Sequence, residues 1–152
     1  MEIERKFSVD ITKFDYTQYP SKKFIQGYLN TNPVVRVRKE DDDYFLTYKG
    51  KGLMVREEYN LPLNKESFEH LINKADGNII SKTRYFIPYN EYTIELDVFD
   101  EPIKPLILAE VEFPSVEAAE SFVAPAWFKE DVTNDTKYHN SNMSKTDYVN
   151  RG

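Results

Sequence analysis

A chain of 152 residues with 40% hydrophobic side chains suits one compact domain, residues 1–152, that buries roughly two thirds of its unfolded surface. Charged residues make up 30%, and 26 Asp and Glu against 20 Lys and Arg leave a net charge of -6, so the surface as a whole repels nucleic acid and anionic lipid and a bound polyanion needs a local basic site. The lack of Cys removes disulfides and thiolate metal sites, and two His, His70 and His139, argue against an imidazole metal site while leaving hard oxygen ligands open.

No apolar run nears the roughly 18 residues of a membrane span, and residues 1–10 lack an apolar targeting core, so a cytoplasmic protein is expected. In chain order, period-two alternation predicts strands over 1–7, 23–30, 33–39, 43–49, 54–61, 79–88, 91–99 and 106–113. Short polar connections between several of them, such as Lys39 to Asp42 and Tyr89-Asn90, suit antiparallel hairpins. Two segments carry the helical period. One follows Asn64 as N-cap, aligns Phe68, Leu71, Ile72 and Ala75, and stops at Gly77; the other follows Ser115, aligns Val116, Ala119 and Val123, and ends before Pro125. Asp10 to Tyr19 reads as a short helix or turn, and the tail from Asn134 is polar. The fold class is mainly β with a few flanking helices.

The informative feature is the identity of the polar residues that alternate with the apolar ones. Glu2, Glu4 and Lys6 share one face of the first strand. Arg36 and Arg38, Lys82 and Arg84, Glu95 and Asp97, and Glu110 and Glu112 form like-charge doublets, and Lys49, Arg56 and Glu58 take similar positions, with Glu57 breaking the alternation. One such strand is what a solvated face shows. The whole set differs, because doublets of like charge a few ångströms apart repel and need compensation. If about eight antiparallel strands close into a barrel, one face of each points inward, and the charged faces are the expected interior. Burying so many ions dry costs several kcal/mol each, so the lumen must hold water, metal or a charged ligand. A polyphosphate suits the Arg and Lys, and the carboxylates are explained if they hold Mg2+ or Mn2+. His70, His139 and Trp127 read as surface, tail and outer packing residues.

These residues also resemble a known family. Glu2-Ile3-Glu4-Arg5-Lys6 is similar to the ExExK signature of the CYTH superfamily, the triphosphate tunnel metalloenzymes. Val35-Arg36-Val37-Arg38 resembles the family's RxR strand, Leu46-Thr47-Tyr48-Lys49 its LTxK strand, Arg56-Glu57-Glu58 its RxE strand and Lys82-Thr83-Arg84-Tyr85 its KxR strand. Glu95 to Phe99 and Ala109 to Glu112 resemble the acidic strands, and Trp127, Asp131-Val132-Thr133 and Lys137-Tyr138-His139-Asn140 the C-terminal segment. Two departures stand out: Asn60 where the family often has a second Glu, and Asp131 where it usually has Glu.

The resemblance implies an eight-stranded antiparallel tunnel that binds a triphosphate compound with Mg2+ or Mn2+. It assigns Glu2, Glu4 and Glu112, with Glu110 nearby, to metal; Arg36, Arg38, Lys49, Arg56, Lys82 and Arg84 to phosphate; and Glu95 and Asp97 to support. Lys6, Glu58, Lys82 and Tyr28 are the candidates for a catalytic role. Hydrolysis of inorganic triphosphate is the expected activity, against a class IV adenylate cyclase or thiamine triphosphatase as alternatives and a non-catalytic sensor as a third. The cyclases resemble one another in a His-Phe pair several residues ahead of ExExK, where this chain has only Met1 before Glu2, and short connections leave little room for a purine pocket. No nucleic-acid or membrane partner is expected, and a homodimer is allowed.

Overall fold

The computed structural model describes residues 1–145. Its elements are β1 (Glu2–Val9), β2 (Ser21–Thr31), β3 (Val34–Glu40), β4 (Asp43–Lys49), β5 (Val55–Arg56), β6 (Glu58–Leu63), α1 (Lys65–Ile72), β7 (Asp76–Tyr89), β8 (Tyr92–Phe99), β9 (Ile107–Glu112), α2 (Val116–Ser121), β10 (Phe128–Asp131) and α3 (Asn140–Met143). Single 3-10 turns occur at Ile11–Lys13 and Thr136–Tyr138. Among the described residues no helix is long and apolar enough to cross a membrane.

One antiparallel sheet runs in the order β10-β1-β9-β8-β7-β2-β3-β4-β6, and β5 returns to pair with β1 through Glu2↔Arg56 and Ile3↔Val55. Since β5 and β6 are one segment interrupted at Glu57, this pairing nearly closes a barrel. With those two counted together, nine strands replace the eight expected. The addition is β10, which pairs with β1 at Phe7↔Asp131 and Val9↔Phe128. Two tight hairpins depend on residues that tolerate a left-handed backbone: Asp41 at φ 51° between β3 and β4, and Asn90 at φ 54° between β7 and β8.

Both helices begin where their caps predict. Asn64 Oδ1 accepts from the Ser67 N–H at 2.7 Å, and Ser115 Oγ from the Ala118 N–H at 3.0 Å. Both end earlier than periodicity suggested. Gly77 lies in β7 at φ +69°, and β7 has already begun at Asp76, opposite Tyr28, so sheet pairing overrides the last helical turn. Helix α1 packs on the outside of β2, β3 and β4, with Phe68 against Tyr44 at 5.3 Å. Gly27 makes the approach possible, because a Cβ there would meet Ala75 Cβ at 2.7 Å and Ile72 Cδ1 at 2.8 Å.

Two apolar clusters form the core. The outer one gathers Phe7, Leu96, Val111, Phe113, Ala119, Trp127 and Phe128 against the barrel wall, and Phe14 stacks on Trp127 at 4.4 Å. The second corrects the expectation of a lumen charged throughout. Ile80, Phe99 and Leu108 lie two residues along from Lys82, Asp97 and Glu110 on the same strand faces, and with Tyr28, Val132 and the fully buried Met143 of α3 they fill the barrel at that end. The described part of the C-terminal tail, to Lys145, thus packs into the barrel through α3, and the rest of the polar tail lies outside the described residues.

Candidate active site

Alternation carries the charged residues inward and onto one cavity of about 240 Å³. From β1 come Glu2, Glu4 and Lys6; from β3, Arg36 and Arg38; from β4, Lys49. The β5–β6 segment supplies Arg56, Glu58 and Asn60, β7 supplies Arg84, and β9 supplies Glu110 and Glu112, while Tyr28 of β2 borders the same space. Register explains the juxtapositions. Glu4 pairs with Glu112 and Lys6 with Glu110 across β1 and β9, and Glu2 with Arg56 across β1 and β5.

Three of the residues singled out in the sequence stand behind this cavity rather than on it. Lys82 is 0% exposed and donates to Asp97 Oδ2 at 2.7 Å and Asn140 Oδ1 at 3.2 Å. Asp97 also takes both arms of Arg84, at 2.7 and 2.9 Å, and Glu95 takes Arg84 Nη1 at 2.7 Å. Burial pushes the Lys82 ammonium down to about 7, with Arg84 and Arg38 adding to the effect of burial and Asp97 opposing it. Burial works to raise Asp97, but Arg84 and Lys82 outweigh it and hold the carboxyl low. Asp97 and Glu95 fix Arg84, and Lys82 does not line the cavity.

The groups on the cavity divide by whether they are compensated. Lys6 lies 3.3 Å from Glu110, Arg84 lies 3.2 Å from the same carboxylate, and Lys49 bridges Glu2 at 3.0 Å and Glu58 at 3.2 Å. Burial acts to raise Glu110, yet Lys6, Arg84 and Lys82 bring it well below the usual carboxylate range. By contrast, Arg36 and Arg56 form no ion pair among the described residues. Arg36 is 5% exposed; its Nη2 donates to Thr47 Oγ1 at 3.3 Å, and its Nε–H is buried with no acceptor.

Facing these cations is an acidic group of opposite character. Glu2, Glu4 and Glu112 each offer an oxygen, all within 4.8 Å of one another. Burial and then neighbouring Glu110 raise the Glu4 carboxyl. Burial, followed by Glu95 and Glu4, raises Glu112 to about 7. Burial raises Glu2 to about 9, helped by a hydrogen bond with Glu58. Glu58 responds in the other direction: burial would raise it, but the bond from Glu2 and the Lys49 ammonium bring it down to about 2. Crowded, desolvated carboxyls whose charged forms are disfavoured offer the oxygen donors that a hard cation prefers.

Four neutral or weakly basic residues with no site role in the sequence reading also line the cavity, among them His139, expected as a tail residue. Asn60 Nδ2 donates to Glu58 Oε1 at 2.8 Å and its Oδ1 accepts from Thr47 at 2.5 Å. Thr133, His139 and Asn140 line the cavity from the C-terminal segment. Lys6 donates to the Tyr138 carbonyl at 3.1 Å, and His139 Nε2 meets the Thr133 carbonyl at 3.1 Å. For Thr133, His139 and Asn140 only the motif resemblance of the C-terminal segment gave a signal, and for Asn60 only its place where the family often has Glu.

Comparison with known proteins agrees with this geometry. A model of the CYTH domain matches residues 1–148. A protein of Nitrosomonas europaea named inorganic triphosphatase is 38% identical over 148 residues, covering 94% of this chain and 96% of that one. A second with the same name, from Acetivibrio thermocellus, is 33% identical over 156 residues and covers 98% and 96%. The crystal structure of an inorganic triphosphatase superposes with a TM-score of 0.70 at 36% identity, covering 95% of this chain and 94% of that one. With its charged barrel interior, its order of motifs and a family match that spans nearly every residue, this chain belongs to the CYTH domain family.

Proposed function

We propose that this protein is a divalent-cation-dependent hydrolase that cleaves the terminal phosphate from inorganic triphosphate. The observation that carries the reading is the split in compensation. Arg36 and Arg56 have no carboxylate partner among the described residues and Arg36 keeps a buried N–H unsatisfied, while Glu2, Glu4 and Glu112 crowd their oxygens within 4.8 Å of one another with the Lys49 ammonium on Glu2 as the one ion pair in the group. A buried charged donor left unmade costs more than the roughly 1–3 kcal/mol of a neutral one. An anion on one side and a cation on the other remove both costs, and a phosphate chain coordinating a divalent ion is both at once. The names of the two relatives support the same substrate.

Arg36, Arg38 and Arg56 present forks to the phosphate oxygens, and Lys49 and Lys6 add point charges. Arg84 is held rigid by Asp97 and Glu95. Bound at Glu2, Glu4 and Glu112, Mg2+ or Mn2+ would neutralise phosphate charge and acidify a coordinated water. Water adds to the terminal phosphorus, the bridging P–O bond breaks, and phosphate and pyrophosphate leave. Little covalent help from the protein is needed, because positioning and electrostatics carry phosphoryl transfer. Glu58, on the cavity wall beside Lys49 and held by the Asn60 amide, is placed to orient the attacking water.

The test uses purified protein with Mg2+ or Mn2+ against inorganic triphosphate, ATP and thiamine triphosphate, following phosphate and cyclic nucleotide. Inorganic triphosphate should show the highest kcat/KM, since charge recognition without base recognition favours the most compact, highly charged substrate. A higher value for ATP with cyclic AMP as the main product would replace the hydrolase with a cyclase.

A further inference from the structure

Where strand β2 meets the site its inward face is neutral: Phe24, Gln26 and Tyr28 point into the barrel and all are buried. Gln26 is 0% exposed and each end of its amide is engaged. Its Oε1 accepts from Arg38 Nε at 2.8 Å, and its Nε2 donates to Tyr28 Oη at 3.4 Å and Asn140 Oδ1 at 3.3 Å. The bond to Arg38 follows from register, because Gln26 and Arg38 are direct cross-strand partners in β2 and β3. Beneath them Phe24 supports two guanidinium groups, with Arg38 at 4.7 Å and Arg84 at 4.8 Å from its ring centroid.

We propose that Gln26 is a positioning residue of the phosphate clamp: it fixes the Arg38 guanidinium through a close neutral acceptor, so that the group is oriented without a carboxylate in direct hydrogen-bonding contact. This rests on the triphosphatase reading above. The contrast within the site supplies the reason. Arg84 is locked by three carboxylates at 2.7–3.2 Å, which neutralise it, whereas Arg38 has one looser ion pair, Nη1 to Glu40 Oε2 at 3.6 Å. Gln26 occupies Nε, so Nη2, and Nη1 beyond its long contact with Glu40, are the part of the fork left for phosphate oxygens. The amide also ties Arg38 to Asn140, which accepts from Lys82, so the clamp and the C-terminal segment share one hydrogen-bonded frame.

Steady-state kinetics on the full chain with inorganic triphosphate and Mg2+, together with melting temperatures, test this. The proteins are wild type, Gln26→Met, Gln26→Glu, Arg38→Ala and the double variant Gln26→Met with Arg38→Ala. Gln26→Met should raise KM roughly tenfold, the value of one hydrogen bond to a charged group, with kcat much less affected. Gln26→Glu keeps the size and the acceptor for Arg38 but pairs it with a negative charge, and it should raise KM at least as much; it carries the test where the Met variant does not fold. In the Arg38→Ala background, Gln26→Met should change KM less than about twofold, the coupling expected of residues that act as one unit. Independent penalties that multiply in the double variant, or a wild-type KM for Gln26→Glu, would overturn the inference. An unchanged KM for Arg38→Ala would instead remove the clamp reading itself, which separates the two failures.

Discussion

Glu4 sits where two other carboxyls converge, and that makes it the sharpest probe of the acidic group. Its register partner is Glu112, and Glu2 shares its strand face. Glu4→Gln keeps the shape, removes one repulsive charge and leaves a weaker ligand. The fold should therefore persist or gain slightly in stability, while hydrolysis falls by at least about a hundredfold. Circular dichroism and turnover at saturating Mg2+ check both halves, and unchanged turnover with unchanged Mg2+ dependence would remove Glu4 from the cation site. The same scale shows what sequence reveals. Like-charge doublets at period two are conspicuous because evolution rarely needs them on a wet face, so Arg36, Arg38, Glu110 and Glu112 were legible. Gln26 was not, and Asn140 showed only through the motif resemblance, since a neutral amide reads the same whether it faces solvent or anchors an arginine. Carrying the inward face through Phe24, Gln26 and Tyr28 would have placed Gln26 beside Arg38. Asn60 shows the converse: the missing carboxylate leaves no gap, because its amide donates to Glu58 and accepts from Thr47.

At the scale of elements, the break in alternation at Glu57 was the sequence signature of the β5–β6 interruption, and it lets one segment pair with β1 and then with β4. Strand β10 and helix α3 were hidden, because four residues each carry too few repeats for a period to show. What holds β10 in place is Asp131. Its Oδ1 accepts from the Thr133 N–H at 2.8 Å, and its Oδ2 accepts from Arg5 Nε at 3.1 Å and Nη2 at 2.8 Å. Arg5 also donates to the Ala119 carbonyl at 2.8 Å, so one guanidinium joins β1, α2 and β10. The turn with Thr133 requires the short side chain of Asp, which gives a physical account of Asp in place of Glu here. Burial acts to raise Asp131, but the Thr133 bonds and Arg5 lower it below 3.8. A carboxyl lowered on folding contributes stability that is present above its unfolded value and lost as pH falls through its folded value. With the side chain 39% exposed, Asp131→Asn should cost only about 0.5–1 kcal/mol at pH 7. In urea unfolding, the gap between variant and wild type should shrink as pH falls from 5 to 2; a constant gap would mean that the ion pair does not contribute.

At the scale of the whole molecule, the barrel was readable because strand period, hairpin spacing and charge pattern all agreed on one closed sheet, which is the consistency that makes a fold legible. Its filled end was not, since Ile80, Phe99 and Leu108 look like ordinary strand residues until closure places them inside. The result is a barrel with an apolar half that stabilises and a charged half whose uncompensated groups oppose folding. Ligand binding should therefore show in global stability. Inorganic triphosphate with Mg2+ at a hundredfold excess over Kd stabilises the folded state by about 2.7 kcal/mol, which for a domain of this size corresponds to a rise of roughly 5–10 °C in Tm. Arg36→Ala removes a cation without an ion pair, so the unliganded variant should melt near or above wild type and lose most of the ligand-induced rise. Lys65→Ala removes an exposed lysine of α1, 3.9 Å from Glu69 and 70% exposed, and should keep the full rise. Differential scanning fluorimetry across these three proteins separates a specific interior site from general anion binding: equal shifts in all three, or none in wild type, would place the ligand outside the barrel.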